Sequence, residues 1–389
     1  MKIPLRYAIR NLIRRRAATV MTAAGIALVT AVFVAALGLV AGLHEALALT
    51  GNPLHVMALR QGARAETYSA VTREQYAVLR SLPQLERDGS GAPLATAEAI
   101  YLLNLVRRGE GAEGRNANVT VRGVSPHAFA MRPQVRVVAG RCFAPGADEL
   151  IVGVPLLERF GVAPGGTLRI GRRDWAIVGA FDAAGTAFGS EIWCDVERLL
   201  PEIGREVYSS VTLRARDKGA VDSLVRIIED DPRLKLHATT EPRYYADQAE
   251  ETAGLLYYGL ALSGLLAIGG CLGAMNTMYA SVSGRAREIA TIRALGFPRR
   301  AILLCFLAES ALLALPGAAL GSLLGLAVNG VSTGTTNFAS FSEVAFSFEV
   351  GPLSLVCGFA FGVALGVAGG LVPAAQAAAA PLSRALREV

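Results

Sequence analysis

The 389-residue sequence is poor in the residues from which most catalytic and metal sites are built. Its four histidines are isolated from one another, and the patterns HExxH, CxxC and GxSxG do not occur. It has only three lysines, and none completes the phosphate-binding pattern GxxxxGK followed by Ser or Thr. The sequence therefore predicts no catalytic residue, no metal site and no cofactor in this chain, and it disfavours a membrane-tethered enzyme.

Cysteine is also scarce, with five residues in the chain. Cys271, Cys305 and Cys357 fall within long apolar runs, so a disulfide-stapled scaffold is excluded. Cys142 and Cys194 lie in the polar middle of the chain and could form a disulfide if that segment is extracytoplasmic. Their spacing leaves the pairing open, because it does not say how close the two Cα atoms are.

The net charge of +6 is not distributed as nucleic-acid binding requires. Met1–Arg16 has six Lys or Arg and no acid, whereas residues 44–251 have 25 Lys or Arg against 27 Asp or Glu. With 52% hydrophobic residues and a mean hydropathy of +0.41, the composition indicates a membrane protein with a soluble part. The basic termini favour contact with membrane lipid, and no nucleic-acid partner is expected.

Four apolar runs are long enough to cross a bilayer, which takes about 20 helical residues. The first exceeds the apolar stretch of a signal peptide, about 7–15 residues, so a membrane helix is favoured over a cleaved leader. The predicted fold is an α-helical membrane protein with four transmembrane helices and a mixed α/β extracytoplasmic domain inserted between helices 1 and 2. The predicted segments are a cytoplasmic amphipathic helix at 1–16, transmembrane helix 1 at 17–43, the extracytoplasmic domain at 44–251, transmembrane helix 2 at 252–282, a cytoplasmic coupling loop at 283–300, transmembrane helix 3 at 301–328, a short extracytoplasmic loop at 329–351, transmembrane helix 4 at 352–373 and a cytoplasmic tail at 374–389.

The segment 44–251 alternates short apolar stretches with turn residues, which is typical of a folded α/β domain. A strand–helix–strand pattern begins at His55–Arg60, and a second consists of Ser209–Arg214, Gly219–Asp230 and Lys235–Thr239. We expect these two patterns to be counterparts. The domain would then have two subdomains, one built from both ends of the segment and one β-rich and inserted.

A charged island, Arg285–Gly296, separates the second and third apolar runs. Its excess of arginine places it in the cytoplasm by the positive-inside rule, and the termini then lie in the cytoplasm as well. Good helix formers and apolar residues at i, i+3 and i+6 predict a short helix that docks on a partner protein; the alternative is a solvated loop that only sets topology. The predicted docking residues are Arg285, Arg287, Glu288, Ile289, Ile292, Arg293, Leu295 and Gly296.

Three other features concern the membrane. Glu309, in the third apolar run, either makes a polar contact to the first or second span or reaches water at the interface. Glycines at every fourth residue let helices approach closely, and packing within one chain is favoured over contact between two chains. These glycines are Gly317, Gly321, Gly325, Gly358, Gly362 and Gly366. The amino-terminal helix is expected to lie on the membrane surface. Its basic residues are Arg6, Arg10, Arg14, Arg15 and Arg16.

The charged island and three other stretches together resemble FtsX-like permeases of the MacB type. Arg287–Gly296, followed by Ala301-Ile-Leu-Leu and by Glu309, resembles the signature of these permeases. The first stretch that agrees with it is Leu5–Arg16, with Gly25 in the first span. The second leads from Ala139–Phe143 through Glu149–Gly153 to Trp175–Gly179, and the third is Pro381–Arg387. Nearly the whole chain is covered, and the resemblance implies a MacB-like periplasmic core for the α/β domain.

The resemblance implies a permease subunit of a type VII ABC transporter in a bacterial inner membrane, acting as a homodimer or with a sister permease. ATP and Mg²⁺ would be bound by two copies of a partner ABC ATPase subunit, since this sequence has no phosphate-binding loop. Motion of the outer domain would export or extract a substrate, and a periplasmic adaptor is a further candidate partner. The alternative is an FtsX-like signalling protein that regulates an extracytoplasmic protein, such as a cell-wall hydrolase, and transports nothing.

Overall fold

A computed structural model describes residues 16–107, 116–252, 254–336 and 341–379. The helices in chain order are α1 (Arg16–Ala48), α2 (Arg73–Leu79), α3 (Ala128–Met131), α4 (Val154–Phe160), α5 (Val196–Glu202), α6 (Lys218–Asp230), α7 (Glu241–Thr252), α8 (Gly254–Ser283), α9 (Ala286–Ala294), α10 (Arg299–Leu326) and α11 (Pro352–Ala379). The strands are β1 (His55–Arg60), β2 (Ala95–Val106), β3 (Asn116–Val124), β4 (Arg136–Gly140), β5 (Glu149–Gly153), β6 (Thr167–Ile170), β7 (Arg173–Asp182), β8 (Glu191–Asp195), β9 (Ser210–Arg214), β10 (Leu236–Thr240), β11 (Ser332–Thr336) and β12 (Glu343–Ser347).

The chain divides into two compact units. The helical unit comprises Met1–Gly42, Gly254–Val331 and Phe348–Val389, and the sheet unit comprises Leu43–Ala253 and Ser332–Ser347. The sheet unit is therefore assembled mainly from the chain between the first and second long apolar helices.

Four helices, α1, α8, α10 and α11, are long and apolar enough to cross a membrane. The 28 residues of α10 rise about 42 Å, which exceeds the hydrocarbon thickness of about 30 Å. Four such helices with an α/β domain after the first confirm the predicted fold class. From the sequence, transmembrane helix 1 was predicted to end at residue 43 and transmembrane helix 4 at residue 373. In the structure, α1 continues to Ala48 and α11 continues to Ala379. Helical hydrogen bonding continues past the apolar run from which the prediction was made.

The sheet unit is built on one ten-stranded sheet with the order β10-β1-β9-β2-β3-β8-β5-β7-β4, and β6 pairs with β7. Strands from the two ends of the domain lie side by side, because β1 pairs with both β9 and β10. Met57 on β1, for example, lies opposite Thr239 on β10 and Thr212 on β9. Strand β1 of the first strand–helix–strand pattern therefore lies between β9 and β10 of the second pattern, its expected counterpart.

Two subdomains were expected within this segment, but the structure has one continuous sheet and one compact unit. The joining strand is β8, which pairs in parallel with β3 and antiparallel with β5. All five residues of β8 are buried, so it lacks the alternation of polar and apolar residues by which a half-exposed strand is found in a sequence.

Helix α6 shows how the local sequence builds the core of the sheet unit. The side chain of Asp217 accepts a hydrogen bond from the Ala220 N–H at 2.8 Å and so caps the helix. Val221, Leu224 and Ile228 follow at helical spacing and are buried against the sheet. Burial of each such side chain contributes about 1.5–3 kcal/mol.

The short loop predicted at 329–351 instead contains a hairpin, β11–β12, that belongs to the sheet unit. The Ala345 N–H donates to Ser190 Oγ at 2.5 Å, which fixes the hairpin backbone. The Glu343 carboxylate is buried and lies 2.9 Å from Arg107 Nη2 and 3.3 Å from Arg159 Nη1. Arginines distant in sequence thus hold the hairpin, which is why the local sequence did not predict its place.

Candidate functional site

Helix α9 lies between α8 and α10, at the position of the predicted docking helix. Glu288 lies in its first turn and Arg293 in its last turn, the order that the helix dipole favours. The chain leaves the helix at Gly296, which has a φ of +89° and donates its N–H to the Arg293 carbonyl at 3.1 Å. Glycine adopts this left-handed conformation without strain, so the helix ends there.

Arg285, immediately before α9, is turned towards α10 and is only 10% exposed. Its Nη1 donates to Glu309 Oε2 at 2.8 Å, and its Nε donates to Glu288 Oε2 at 3.1 Å. The guanidinium also lies 5.2 Å from the centroid of the Phe306 ring, a cation–π distance. Arg285 was predicted to face a partner protein, and the structure instead uses it to fasten α9 to α10.

Glu309 is 1% exposed and makes the polar contact to the second span that was one of its two predicted roles. Ser281 Oγ on α8 donates to Glu309 Oε1 at 3.1 Å, while Arg285 binds the other carboxylate oxygen. An isolated acidic side chain at the centre of a membrane helix costs about 2.5–3.5 kcal/mol. The two donors offset that cost, and the carboxylate thereby joins α8, α9 and α10.

The apolar residues of α9 do not all point the same way. Ile289 is buried, and it packs with Met278, Ile302 and Phe306 in a core of the helical unit. It was predicted to enter a partner's groove and is not available for that contact. Leu295 is 72% exposed, and Ile292 is half-buried. The spacing i, i+3, i+6 detected an amphipathic helix, but it did not distinguish the face that packs inward from the face that remains outside.

The two predicted glycine ladders lie where helices of the same chain approach each other. A Cβ added at Gly317 would lie 2.6 Å from the Ala23 carbonyl oxygen of α1, and one at Gly321 would lie 2.5 Å from that of Ala27. Gly325 faces Val34 of α1 in the same way. On α11, Gly358 faces Val34, Gly362 faces Thr30 and Ala318, and Gly366 faces Ala314. These glycines therefore face helices of the same chain, which is the packing that the sequence favoured.

The remaining predicted residues contribute little to this site. Arg6, Arg10, Arg14 and Arg15 lie outside the described residues, and Arg16 is exposed at the start of α1. Within the described ranges, no group of His, Cys, Asp or Glu is arranged to hold a metal ion. Cys142 is exposed and Cys194 is buried on β8, and both are free thiols.

The four apolar helices, the sheet domain between the first two, and the short anchored helix α9 define a membrane protein of the permease type. Residues 19–231 match the MacB-like periplasmic core domain, and residues 260–382 match the FtsX-like permease C-terminal family. Since the first match alone covers more than half of the 389 residues, the chain belongs to the MacB/FtsX-like family of ABC-type permeases.

Among its relatives is the macrolide export ATP-binding/permease protein MacB of Bdellovibrio bacteriovorus, 28% identical over 299 residues, which are 70% of this chain and 44% of that protein. The MacB of Bordetella avium is 28% identical over 289 residues, 68% of this chain and 42% of the relative. The chain thus spans less than half the length of these relatives. The extracellular domain of the noncanonic ABC-type transporter YknZ from Gram-positive bacteria is 15% identical and covers 48% of this chain and 100% of that domain, with a TM-score of 0.36, too low to define the fold.

Proposed function

We propose that the chain is a permease subunit in which α9 receives force from an ABC ATPase on another polypeptide and passes it to the membrane helices. The observation that supports this most strongly is the contact of Arg285 with Glu309, 2.8 Å long and buried. A docking helix transmits force only if it is held rigidly, and this contact together with Ile289 fixes α9 to α8 and α10.

We place the ATPase against the exposed side of α9. Leu295 is exposed to 72%, and Arg287 and Arg300 are also exposed. An exposed large apolar side chain, together with exposed arginines in the same segment, has the composition typical of an interface anchor. By the positive-inside rule this loop and both termini are cytoplasmic, and the sheet unit is extracytoplasmic.

The assembly that follows has two copies of the ATPase and two permease chains, either identical or sister subunits, in a bacterial inner membrane. Binding of ATP and Mg²⁺ by the ATPase would draw the α9 helices together, and the sheet unit would move and export or extract a substrate. An adaptor or another extracytoplasmic protein would bind the sheet unit.

The test is the variant Leu295→Asp, purified with the ABC ATPase and reconstituted in lipid vesicles. Loss of a central apolar anchor costs about 2 kcal/mol or more at an interface, so we expect permease-stimulated ATP hydrolysis to fall at least tenfold. The matched control is Val138→Asp, which places the same charge at an exposed valine of β4. If Leu295→Asp inserted normally into the membrane and stimulated ATP hydrolysis as strongly as the unaltered chain, the docking role would be refuted.

A further inference from the structure

Three segments of the sheet unit lead by chain connection to the four long apolar helices. The first is the end of α1 with Thr50, the second is α7, which leads into α8, and the third is the hairpin β11–β12, which joins α10 to α11. All three contact one turn of the sheet unit, the 3₁₀ helix Ala187–Ser190 between β7 and β8, which we call the anchor turn. All four of its residues are buried.

The end of α1 is bound to the anchor turn through Thr50. The Ala187 N–H donates to Thr50 Oγ1 at 2.9 Å, and Thr50 is 1% exposed. The Thr50 hydroxyl in turn donates to the Ala46 carbonyl at 2.7 Å. One side chain thus connects the last turn of α1 to the backbone of the anchor turn.

Helix α7 contacts the anchor turn through aromatic rings. The buried ring of Phe188 lies perpendicular to that of Tyr245 on α7, with 6.2 Å between the centroids. The Arg132 guanidinium lies 4.6 Å from the Phe188 centroid, a cation–π distance that favours this ring position. A Cβ added at Gly51 would lie 2.6 Å from Pro242 Cα, so the chain after α1 and the first turn of α7 also touch.

The hairpin is bound through Ser190, the last residue of the anchor turn. The Ser190 hydroxyl oxygen accepts a hydrogen bond from the Ala345 N–H at 2.5 Å. Both residues are buried, and so are Val344 and Phe346 on either side of Ala345. The hydrogen bond therefore lies within the core of the sheet unit and is protected from competition by water.

The three segments also line one cavity beside the anchor turn. Its volume is about 40 Å³, enough for one water molecule. Leu47 of α1, Tyr244 and Tyr245 of α7 and Val344 of the hairpin line it together with Ala187. The three segments therefore meet at one place in the sheet unit.

The anchor turn is itself fixed to the sheet. It continues directly into β8, whose five residues are all buried. A Cβ added at Gly153, the last residue of β5, would overlap the Gly189 carbonyl oxygen, so the backbone of the turn rests against β5 at a position that only glycine can occupy. A displacement of the anchor turn therefore displaces β5 and β8 as well.

We propose that the anchor turn is a mechanical junction that joins the three segments to the sheet, so that they move with the sheet as one body. This inference rests on the proposed function, because it specifies where motion of the membrane helices enters the sheet unit. Buried contacts that share the same residues open together as a cooperative unit. The junction therefore stays closed while the sheet unit moves.

The first test is hydrogen exchange of the full chain in detergent micelles, followed by mass spectrometry. In Ser190→Ala the Ala345 N–H loses its acceptor, which should raise its exchange rate about five- to tenfold. Exchange in residues 43–50 and in α7 should rise by the same factor, because one opening free energy governs the whole unit. A rise confined to the hairpin would overturn the proposal.

Thr50→Val tests the junction from its other side. This substitution removes the acceptor of the Ala187 N–H with little change in volume, and exchange should rise in the hairpin as well as at the end of α1. The matched control is Ser223→Ala, whose hydroxyl bonds to the Gly219 carbonyl within α6, and it should leave all three segments unchanged. Either variant decides the question if the other does not fold, and acceleration only beside the substituted residue would show that the three attachments are independent.

The second test compares hydrogen exchange with and without ATP and vanadate, using the chain in lipid nanodiscs with the ABC ATPase. We expect changes elsewhere in the chain, whereas the amides of Ala187 and Ala345 change by less than about twofold. A large rise at these two amides would show that the junction opens and would overturn the proposal. If ATP changed exchange nowhere in the chain, the proposed function would be refuted, and the first test alone would decide on the junction.

Discussion

Removal of Arg285 is the sharpest test of how α9 is anchored. In Arg285→Ala, the Glu309 carboxylate loses the guanidinium 2.8 Å away while remaining in a position that is 1% exposed. Glu309 is ten residues after Arg299, which is about 15 Å along α10. Truncating one partner of a buried ion pair costs about 3–5 kcal/mol, and burying an acid in a membrane helix costs about 2.5–3.5 kcal/mol.

We expect about 3 kcal/mol for Arg285→Ala, at the low end of this range, because Glu309 keeps its hydrogen bond from Ser281. Glu309→Gln should cost less, about 1 kcal/mol, since the amide keeps an acceptor and Arg285 retains Glu288 as a partner. The double variant should be more stable than Arg285→Ala alone, because no carboxylate is then left without its cation.

The assay is unfolding of the detergent-solubilised chain by sodium dodecyl sulfate, followed by circular dichroism. Arg300→Ala, which removes an exposed arginine from the first turn of α10, is the matched control and should change stability by less than about 0.5 kcal/mol. If Glu309→Gln proved more destabilising than Arg285→Ala, or if the two effects were simply additive, the pair would not be the anchor described here.

Two further predictions concern packing and acid stability. Gly317→Ala should destabilise the helical unit by about 1–3 kcal/mol, because its Cβ would lie 2.6 Å from the Ala23 carbonyl oxygen, whereas Gly273→Ala, with open space around it, should be neutral in the same unfolding assay. Hydrogen bonds from Arg141 and the Ala144 N–H lower the pKa of Glu149 to about 2, so its contribution is present above pH 4.5 and is lost as pH falls towards 2. Glu149→Gln should therefore flatten the acid side of a near-ultraviolet circular dichroism titration, and an unaltered acid transition would contradict this.

The positions of the four long apolar helices could be predicted from the sequence because they depend on composition over long windows. Four long apolar runs, the arginine-rich segment between the second and third of them, and a domain of balanced charge do not depend on any particular contact. Strands such as His55–Arg60 and Thr167–Ile170 were found with the bounds that the structure gives, since turn residues delimit them locally. The family resemblance likewise depends on motifs that are continuous in sequence.

Other features depend on residues that are distant in sequence, and only the tertiary structure decided them. The hairpin after α10 is held in the sheet unit by Arg107 and Arg159. Strand β8 pairs with β3 on one side and with β5 on the other. Two buried arginines of the sheet unit, Arg122 and Arg132, likewise contact glutamates from positions as distant as Glu66 and Glu241, with no motif that links them.

The same distinction applies to the charged island. Its sequence determined that a short amphipathic helix lies between two membrane spans, because helix propensity and the spacing of isoleucines are local properties. Tertiary contacts decided which residues of that helix face inward. Arg285 and Ile289 pack against partners on α8 and α10, whereas Leu295 remains outside. Periodicity defines the faces of a helix, but the neighbours that cover each face are fixed only when the chain folds.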